Sequence, residues 1–346
     1  MRIVFVTQQV DPGHPALAAT VPKIRALAER VDEVVVLADR TLPGVLPANC
    51  RARSFAAHSR AGRGIRFQAA LAAELARRPK PAAVVAHMCP IYAVLAAPLA
   101  RPLRVRVLLW YTHWRASRLL REAERVSNAV LTVDPRTFPL DSRKVRAIGH
   151  GIDLDQFACA ARAHPSDLRA VALGRYSAAK GLDTVIRAVR LALEDGLDLR
   201  LEIHGPALTP EERAHRGELE RLVGELDLGR RVKLGHAVLR SEVPNLFERA
   251  DVLVNNMRAG ATDKVVFEAC ASCVAVVASN PAFDTLLEPE LRFDRDDARG
   301  LADRLAGVAR LSTDERTALG HRLRERVAAG HSVGSWADAV IEAARR

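Results

Sequence analysis

The sequence lacks the features that mark several large protein classes. Only five of its 346 residues are cysteines, and their odd number and scattered positions indicate a reducing compartment and no disulfide framework. It has no internal repeat and no low-complexity tract, which excludes solenoids and tract-based disordered proteins. With 49% hydrophobic and 27% charged residues, it has the composition of a soluble globular protein and is long enough for two domains.

The sequence also lacks a long, uninterrupted apolar run. Residues 1–7 are too short for a signal peptide and predict a first strand. Residues 81–100 carry no charge, but Pro81, Pro90 and Pro98 interrupt them, so they predict a strand, a loop and a helix and not a membrane span. We expect a cytoplasmic protein that is at most peripheral to the inner face of a membrane.

Acidic residues are scarce in the first half of the chain. Residues 1–150 contain 24 Lys and Arg against 10 Asp and Glu, a net charge of +14, whereas residues 151–346 contain 28 against 31 and carry −3. An anionic membrane surface, an acidic acceptor or nucleic acid would each suit such a basic half, and a coding bias towards arginine and alanine would also produce it. We expect no nucleic-acid binding, because no recognisable module for it is present.

Short apolar runs alternate with helical patterns along the whole chain. Strands are predicted near 2–7, 33–38, 82–87, 104–111, 128–133, 144–148, 169–174, 199–205, 231–235, 251–255, 274–278 and 290–293, with helices between most of them. This alternation predicts an α/β protein with parallel sheets covered by helices on both faces. Two such series predict two Rossmann-like domains, 1–152 and 153–330, followed by a helix over 331–346.

Two cations follow a predicted strand in the second half. The strand ends at Gly174, and Arg175 and Lys180 stand between it and the next helix. An arginine offers a fork of hydrogen-bond donors and a lysine a point charge, so the pair suits a diphosphate group. The alternative is that both are solvated surface charges.

A second strand, loop and helix unit follows at residues 251–271. Thr262, Asp263, Lys264 and Val265 lead from the strand into an apolar helix that carries Glu268. Backbone N–H groups at a helix start can face phosphate, and a carboxylate one turn further on can accept hydrogen bonds from ribose hydroxyls. The apolar neighbours of Glu268 argue against a solvated position, and burial without a partner would be costly.

These segments resemble retaining glycosyltransferases of family 4, which have the GT-B fold. The resemblance covers essentially the whole chain and is strongest over 149–295, where Gly174-Arg175-x4-Lys180-Gly181 and the segment 260–269 match family motifs. It implies two Rossmann-like domains facing each other across a cleft, with the acceptor bound by the first and the donor by the second. It also implies that the last helix crosses back to the first domain.

The resemblance further implies residue roles. Arg175 and Lys180 would hold the donor diphosphate and help it depart, with His113 beside the donor sugar and phosphates. Glu268 would bind the ribose, and the residues after Gly235, including Val238, would contact the nucleobase through backbone groups. The resemblance implies no metal and no other cofactor, since protein cations replace the metal.

One departure from the family pattern lies in the donor loop. The family has two glutamates here, with seven residues between them; Glu268 matches the second, but the first falls on Gly260. Asp263, with Lys264 beside it, could take over the sugar contact of the missing glutamate. Alternatively, the donor pocket is altered and the activity is weak or different.

The acceptor side carries fainter signals. Asp11 and His14 follow the first strand, and Trp114 stands beside His113 after another. Trp110 and Trp114 could line an acceptor cleft or pack between helices. Cys270 and Cys273 form a C-x-x-C without a second pair nearby, and small packing residues suit their helix better than a metal or redox role does.

The sequence therefore predicts a retaining hexosyltransferase that takes a sugar from a nucleoside-diphosphate sugar. Its acceptor could be a small molecule, a glycan or a lipid-linked substrate, in glycan or secondary-metabolite biosynthesis. The alternatives are a catalytically impaired nucleotide-binding regulator of the same fold, a phosphorylase or an epimerase.

Overall fold

The computed structural model describes every residue except 15, 16, 161–166 and 261. It contains two compact units: unit 1 comprises Met1–Asp153 and Gly330–Arg346, and unit 2 comprises Leu154–Ala329. Residues 161–166, near the start of the predicted second domain, and Ala261 of the predicted donor loop lie outside the described residues.

Unit 1 is built on a parallel sheet, with seven strands among the described residues in the order β3-β2-β1-β4-β5-β6-β7. The central strands are continuous apolar runs, because a parallel sheet is covered by helices on both faces. The strands are β1 (Arg2–Val10), β2 (Glu33–Thr41), β3 (Cys50–Ser54), β4 (Ala83–His87), β5 (Arg106–Trp110), β6 (Ala129–Thr132) and β7 (Val145–Ala147). The helices are α1 (Thr20–Ala28), α2 (Arg60–Ala76), α3 (Pro90–Ala100) and α4 (Arg118–Val126).

Unit 2 is built on a second parallel sheet, whose described strands run in the order β10-β9-β8-β11-β12. These strands are β8 (Leu168–Leu173), β9 (Leu199–His204), β10 (Val232–Leu234), β11 (Val252–Asn255) and β12 (Ala275–Ala278). The helices are α5 (Leu182–Glu194), α6 (Pro210–Glu225), α7 (Val243–Glu248), α8 (Lys264–Ala271), α9 (Ala298–Arg310) and α10 (Thr313–His331). The predicted α/β class with two parallel sheets is confirmed.

The last helix, α11 (Val333–Arg345), belongs to unit 1 and packs on α1. Its Trp336 is fully buried, with its ring 5.7 Å from that of Trp110 and 6.4 Å from that of Phe5. The predicted return of the last helix is therefore confirmed. Trp110 itself is 1% exposed, so its predicted place in an acceptor cleft is wrong and its alternative, packing, holds.

Three elements differ from the sequence-based prediction. Strand β3 was not predicted, because its sequence CRARS is largely polar, as an exposed edge strand permits. The predicted strand 290–293 is instead a 3-10 turn at Pro289–Leu291, with one isolated bridge between Ala278 and Arg292. Helix α10 was also missed, because only four of its residues are buried and its apolar spacing is weak.

None of the helices in the described part of the chain combines the length and the apolar character that crossing a bilayer requires.

Candidate functional site

The predicted donor residues of unit 2 follow two adjacent strands. Strands β8 and β11 are parallel neighbours, with Leu253 opposite Val171, so the loops after them leave the same edge of the sheet. Arg175 and Lys180 lie in the first loop, and Asp263 and Lys264 end the second at the start of α8. Ligands of parallel α/β sheets bind at this carboxyl edge.

Lys180 is the residue that joins the two loops. Its ammonium group pairs with the Asp263 carboxylate, which also accepts a 2.8 Å hydrogen bond from Nδ2 of Asn255. The lysine side chain lies against Gly174, where an added Cβ would be 2.6 Å from Cε. Gly174 has φ +145°, so its backbone conformation favours glycine, and a side chain there would also displace the end of Lys180.

Arg175 points to a different partner. Its guanidinium is 3.0 Å from Oε1 of Glu212, a buried side chain at the start of α6. The other oxygen of Glu212 accepts hydrogen bonds from the backbone N–H groups of Leu208 and Thr209, completing a capping box with the Thr209 side chain. Arg175 is thus positioned by a helix cap, while 59% of its side chain stays exposed.

Glu268 is buried between two cations. Only 3% of its side chain is exposed, and Oε1 is the closest oxygen to both Arg240 Nη1, at 2.6 Å, and Lys264 Nζ, at 2.8 Å. Burial lowers the pKa of Lys264, and the neighbouring Glu268 carboxylate opposes this shift. The pairs explain how the carboxylate can be buried, as the sequence predicted, without a prohibitive cost.

Arg240 is a site residue that the sequence analysis missed. Its guanidinium lies over the Phe157 ring, 4.8 Å from the centroid, as well as against Glu268. Arg240 stands in a short 3-10 turn before α7, 28 residues from Glu268, and no motif marks it in the sequence.

The remaining predicted donor residues differ in exposure. Gly260 has φ +87°, and no described atom lies within 4 Å of where its Cβ would be. Thr262 and Val265 are buried at the entry to α8, and Val238 is half-buried in the loop after β10.

Tyr176 was also missed. Its buried hydroxyl lies 3.0 Å from the carbonyl oxygen of Ile203 and 2.8 Å from that of Gly235, so it ties together the ends of β9 and β10. Burial raises the pKa of Tyr176 to about 12, which keeps the hydroxyl protonated as a hydrogen-bond donor.

The predicted acceptor residues and His113 belong to unit 1. His113 and Trp114 are exposed and stacked, and His113 Nδ1 accepts a 3.1 Å hydrogen bond from the backbone of Arg115. Asp11 accepts a 2.8 Å hydrogen bond from the backbone of Gly13, and His14 Nδ1 accepts one from the backbone of Leu17. Asp11 and His14 therefore shape the turn after β1.

Three metal-ligating side chains converge in only one place among the described residues. The ligand atoms of Cys159, Cys273 and His321 lie within 4.8 Å of one another. Both sulfur atoms belong to a disulfide bond between Cys159 and Cys273, which the sequence analysis did not anticipate. A metal ion could not use them in this state, because thiolate is the form of cysteine that binds metals.

Comparison with known proteins finds a family similarity within unit 2. Residues 161–285 match the profile of the family "Glycosyl transferases group 1". This matched segment covers the candidate donor residues of unit 2 from Gly174 to Glu268. WcaL of Escherichia coli (strain K12), a protein named for glycosyl transfer in colanic acid biosynthesis, is 29% identical over 195 residues. That match covers 53% of this chain and 47% of WcaL, so the chain spans about half the length of this curated relative.

Solved structures extend the likeness in fold to both units. Sucrose-phosphate synthase from Thermosynechococcus elongatus aligns with a TM-score of 0.75 at 20% identity, covering 99% of this chain and 97% of its own. Anabaena HepE in complex with UDP and glucose aligns with a TM-score of 0.73 at 16% identity, covering 99% and 98%. An Escherichia coli trehalose-6-phosphate structure bound with UDP-2-fluoro glucose aligns at 0.72 and 14%, covering 100% and 99%. The predicted GT-B fold is confirmed.

Proposed function

We propose that the protein is a retaining glycosyltransferase that transfers a hexose from a nucleoside-diphosphate sugar without using a metal ion. The observation that carries this proposal is the position of Lys180, which lies over Gly174 at the carboxyl end of β8 and pairs with Asp263 at the start of α8. A cation there would stabilise the negative charge that develops on a departing diphosphate. Arg175, largely exposed beside it, would supply the second cation.

The ribose end of the donor is proposed to bind at Glu268. The two cations approach Oε1 most closely, so they would orient the carboxylate while Oε2 accepts the ribose hydroxyls. Tyr176 fixes the ends of β9 and β10, and thereby the loop that carries Val238, where the nucleobase would contact backbone groups. Uridine is the base to test first, because structures with UDP or UDP-glucose occur among the GT-B relatives.

The sugar end of the donor is proposed to lie at Asp263. Its carboxylate is paired with Lys180 and hydrogen-bonded to Asn255. When a diphosphate binds Lys180, the ion pair would loosen and Asp263 would become an acceptor for sugar hydroxyls. Deprotonation of the acceptor would fall to the leaving phosphate.

A nucleotide-sugar panel tests this proposal. The full chain is incubated with UDP-, GDP-, ADP- and TDP-hexoses, and nucleoside diphosphate release is followed with and without candidate acceptors. Lys180→Ala should nearly abolish release. Lys233→Ala, which removes an exposed lysine from β10, should leave release unchanged and serves as the control. Activity of Lys180→Ala near that of the wild type would refute the assigned role.

A second candidate function is that of a catalytically impaired nucleotide-binding regulator. Gly260 favours it, because the position where the family pattern has a carboxylate carries no side chain and faces open space among the described residues. Calorimetric binding of UDP-glucose with no UDP release for any acceptor would select this function. Release would reject it.

The acceptor is proposed to be lipid-linked and to be reached at a membrane surface. Four of the exposed large apolar side chains of unit 1 stand in the first two turns of α2, α3 and α4 or just before them: Ile65, Ile91, Trp114 and Leu119. Residues 60–66 and 113–121 hold six arginines and no acidic residue. Apolar side chains among cations suit an anionic bilayer surface. These helix starts share the carboxyl edge of the sheet with the turn after β1, where Asp11 and His14 lie.

Vesicle binding tests the membrane contact. Co-sedimentation should require phosphatidylglycerol in phosphatidylcholine vesicles and should weaken at high salt. Arg118→Ser with Arg121→Ser should reduce binding about tenfold or more, at about 1 kcal/mol per arginine near the surface. Arg187→Ser, on an exposed position of unit 2, is the control. Equal binding of both variants would count against this surface.

A further inference from the structure

The disulfide between Cys159 and Cys273 closes a loop of the chain that contains all the residues of the candidate donor site. Its two cysteines are 114 residues apart in the chain, and the loop between them contains both cations of the β8 loop as well as Glu268. Cys159 lies shortly after the point where the chain passes from unit 1 to unit 2, and Cys273 directly follows α8. The bond thus ties the connector between the units to the end of the helix that carries Glu268.

Cys273 occupies a backbone position that disfavours cysteine. Its φ is +57°, and the N–H groups of Cys273 and Val274 bond the carbonyls of Cys270 and Ala269, which is the Schellman arrangement. Glycine is the usual residue there, because a side chain in the left-handed region is strained. A residue kept at such a position against its backbone preference points to a role for its side chain.

The surroundings of the disulfide favour its opening as well as its formation. Cys159 is only half-buried whereas Cys273 is 8% exposed, so Cys159 is the half of the bond more open to an external thiolate. Nδ1 of the exposed His321 lies 3.7 Å from Sγ of Cys273, where an imidazolium would stabilise a departing thiolate. His321 is brought there by Gly320, where any Cβ would overlap the carbonyl group of Cys273.

The guanidinium group of Arg324 contacts the same two segments that the disulfide joins. Arg324 of α10 donates to the carbonyl oxygens of Phe157 and Ala271, and to that of Leu154 at 3.1 Å. The Cys159 sulfur lies 4.0 Å from the same Ala271 oxygen. These hydrogen bonds join the segment before Cys159 to the end of α8 independently of the disulfide.

The other three cysteines do not compete for this chemistry. Cys50, Cys89 and Cys270 are free thiols. Burial raises the pKa of Cys50 and of Cys89 to about 11 and that of Cys270 further, which keeps all three protonated and unreactive.

We propose that Cys159 and Cys273 are a redox-active pair that exchanges with glutathione and its disulfide. To open the bond, a glutathione thiolate attacks Cys159 Sγ and forms a mixed disulfide, and Cys273 leaves as a thiolate. A second glutathione thiolate then attacks the glutathione sulfur, which releases glutathione disulfide and the Cys159 thiolate. The reverse steps consume one glutathione disulfide and return two glutathione molecules. The closed bond braces the connector and α8, and through them Glu268.

Thiol counting tests the chemistry without reference to any substrate. The native protein is equilibrated with glutathione or with glutathione disulfide, quenched in acid, denatured, alkylated and weighed. We expect five alkylated thiols after reduction and three after oxidation. Cys159→Ser should give four in both conditions, whereas the control Cys50→Ser should give four and two. Five thiols in both conditions, or three in both, would overturn the proposal. His321→Asn should slow opening several-fold.

Thermal unfolding tests whether the closed disulfide stabilises the protein. Oxidation should raise the midpoint by about 5 °C or more, given the length of the closed loop. Cys273→Gly should melt above the reduced wild type, because it relieves the left-handed cysteine, and below the oxidised wild type, because it loses the bond. A variant that melts below both, or an oxidised midpoint equal to the reduced one, would refute the brace.

An effect on UDP affinity rests additionally on the proposed function: oxidation should tighten binding in the wild type and not in Cys159→Ser. If thiol counts and midpoints change but none of UDP, GDP, ADP and TDP binds in either state, the proposed function fails and the redox pair stands.

Discussion

Replacing Glu268 by glutamine separates a structural role of this residue from a role in ligand binding. The change keeps the shape of the side chain but removes the charge that Arg240 and Lys264 share. Their side chains are 15% and 27% exposed, so both cations would be left largely desolvated without a counter-charge. Removing one partner of a buried pair costs about 3–5 kcal/mol. Partial exposure places this case near the lower end, and we expect about 3 kcal/mol of unfolding free energy to be lost.

A second substitution compensates the first. In the double variant Lys264→Met/Glu268→Gln, the lysine that Glu268 neutralised is replaced by an apolar side chain of similar length. Because Arg240 can still lie over Phe157 and reach water with part of its side chain, most of the lost stability should return, to within about 1 kcal/mol of the wild type. Urea unfolding measures both values.

UDP binding then distinguishes the two roles. If Glu268 binds the ribose hydroxyls, the double variant is stable but loses hydrogen bonds to a charged group, about 1.5–3 kcal/mol or roughly 10- to 150-fold in Kd. Lys264→Met alone, which keeps the carboxylate, should bind within a few-fold of the wild type. Wild-type affinity in the stable double variant, measured by calorimetry, would refute the ribose role and leave Glu268 as a buried counter-charge.

Three further outcomes follow from other parts of the fold. Burial lowers the pKa of His331 to about 4, so its contribution to stability is complete above pH 6.5 and falls towards pH 4; urea titrations should lose about 2.5 kcal/mol more between pH 7.5 and 4.5 in the wild type than in His331→Gln. Gly205→Ala should destabilise by about 3 kcal/mol or more, because its Cβ would overlap the Gly174 carbonyl, whereas Gly217→Ala in α6 meets no atom and should stabilise by up to about 1 kcal/mol. Trp336→Ala should cost about 3–5 kcal/mol in chemical denaturation, because α11 then loses its fully buried anchor in unit 1.

Elements with strong local signals could be predicted from the sequence. The core strands are apolar runs of the length that a buried parallel strand requires, and the cations after β8 follow a glycine that ends its strand. Strand β3 and helix α10 could not be predicted, because an edge strand and a largely exposed helix need few apolar residues. Trp110 was misplaced for a related reason: an aromatic residue near a strand end has the same sequence pattern whether it faces the core or solvent.

The partners of the site residues were beyond sequence reasoning because each pair joins distant segments. Glu212 is tied to Arg175 only once α6 has its capping box, and Arg240 reaches Glu268 from a turn without a motif. The disulfide between Cys159 and Cys273 could not be predicted, because the C-x-x-C spacing pairs Cys273 with Cys270 in the sequence. In the fold Cys270 is buried on α8, while Cys273 turns towards Cys159 and α10.

The adjacent residues Asp263 and Lys264 can be interpreted only from their ion-pair partners in the fold. In the sequence they look like one substitution in a donor loop. In the structure they belong to two ion pairs: Asp263 pairs with Lys180 of the β8 loop, and Lys264 pairs with Glu268 one turn along α8. Through one peptide bond they connect the cation proposed for the diphosphate to the carboxylate proposed for the ribose. A backbone shift at the start of α8 therefore has to move both ends of the candidate site together.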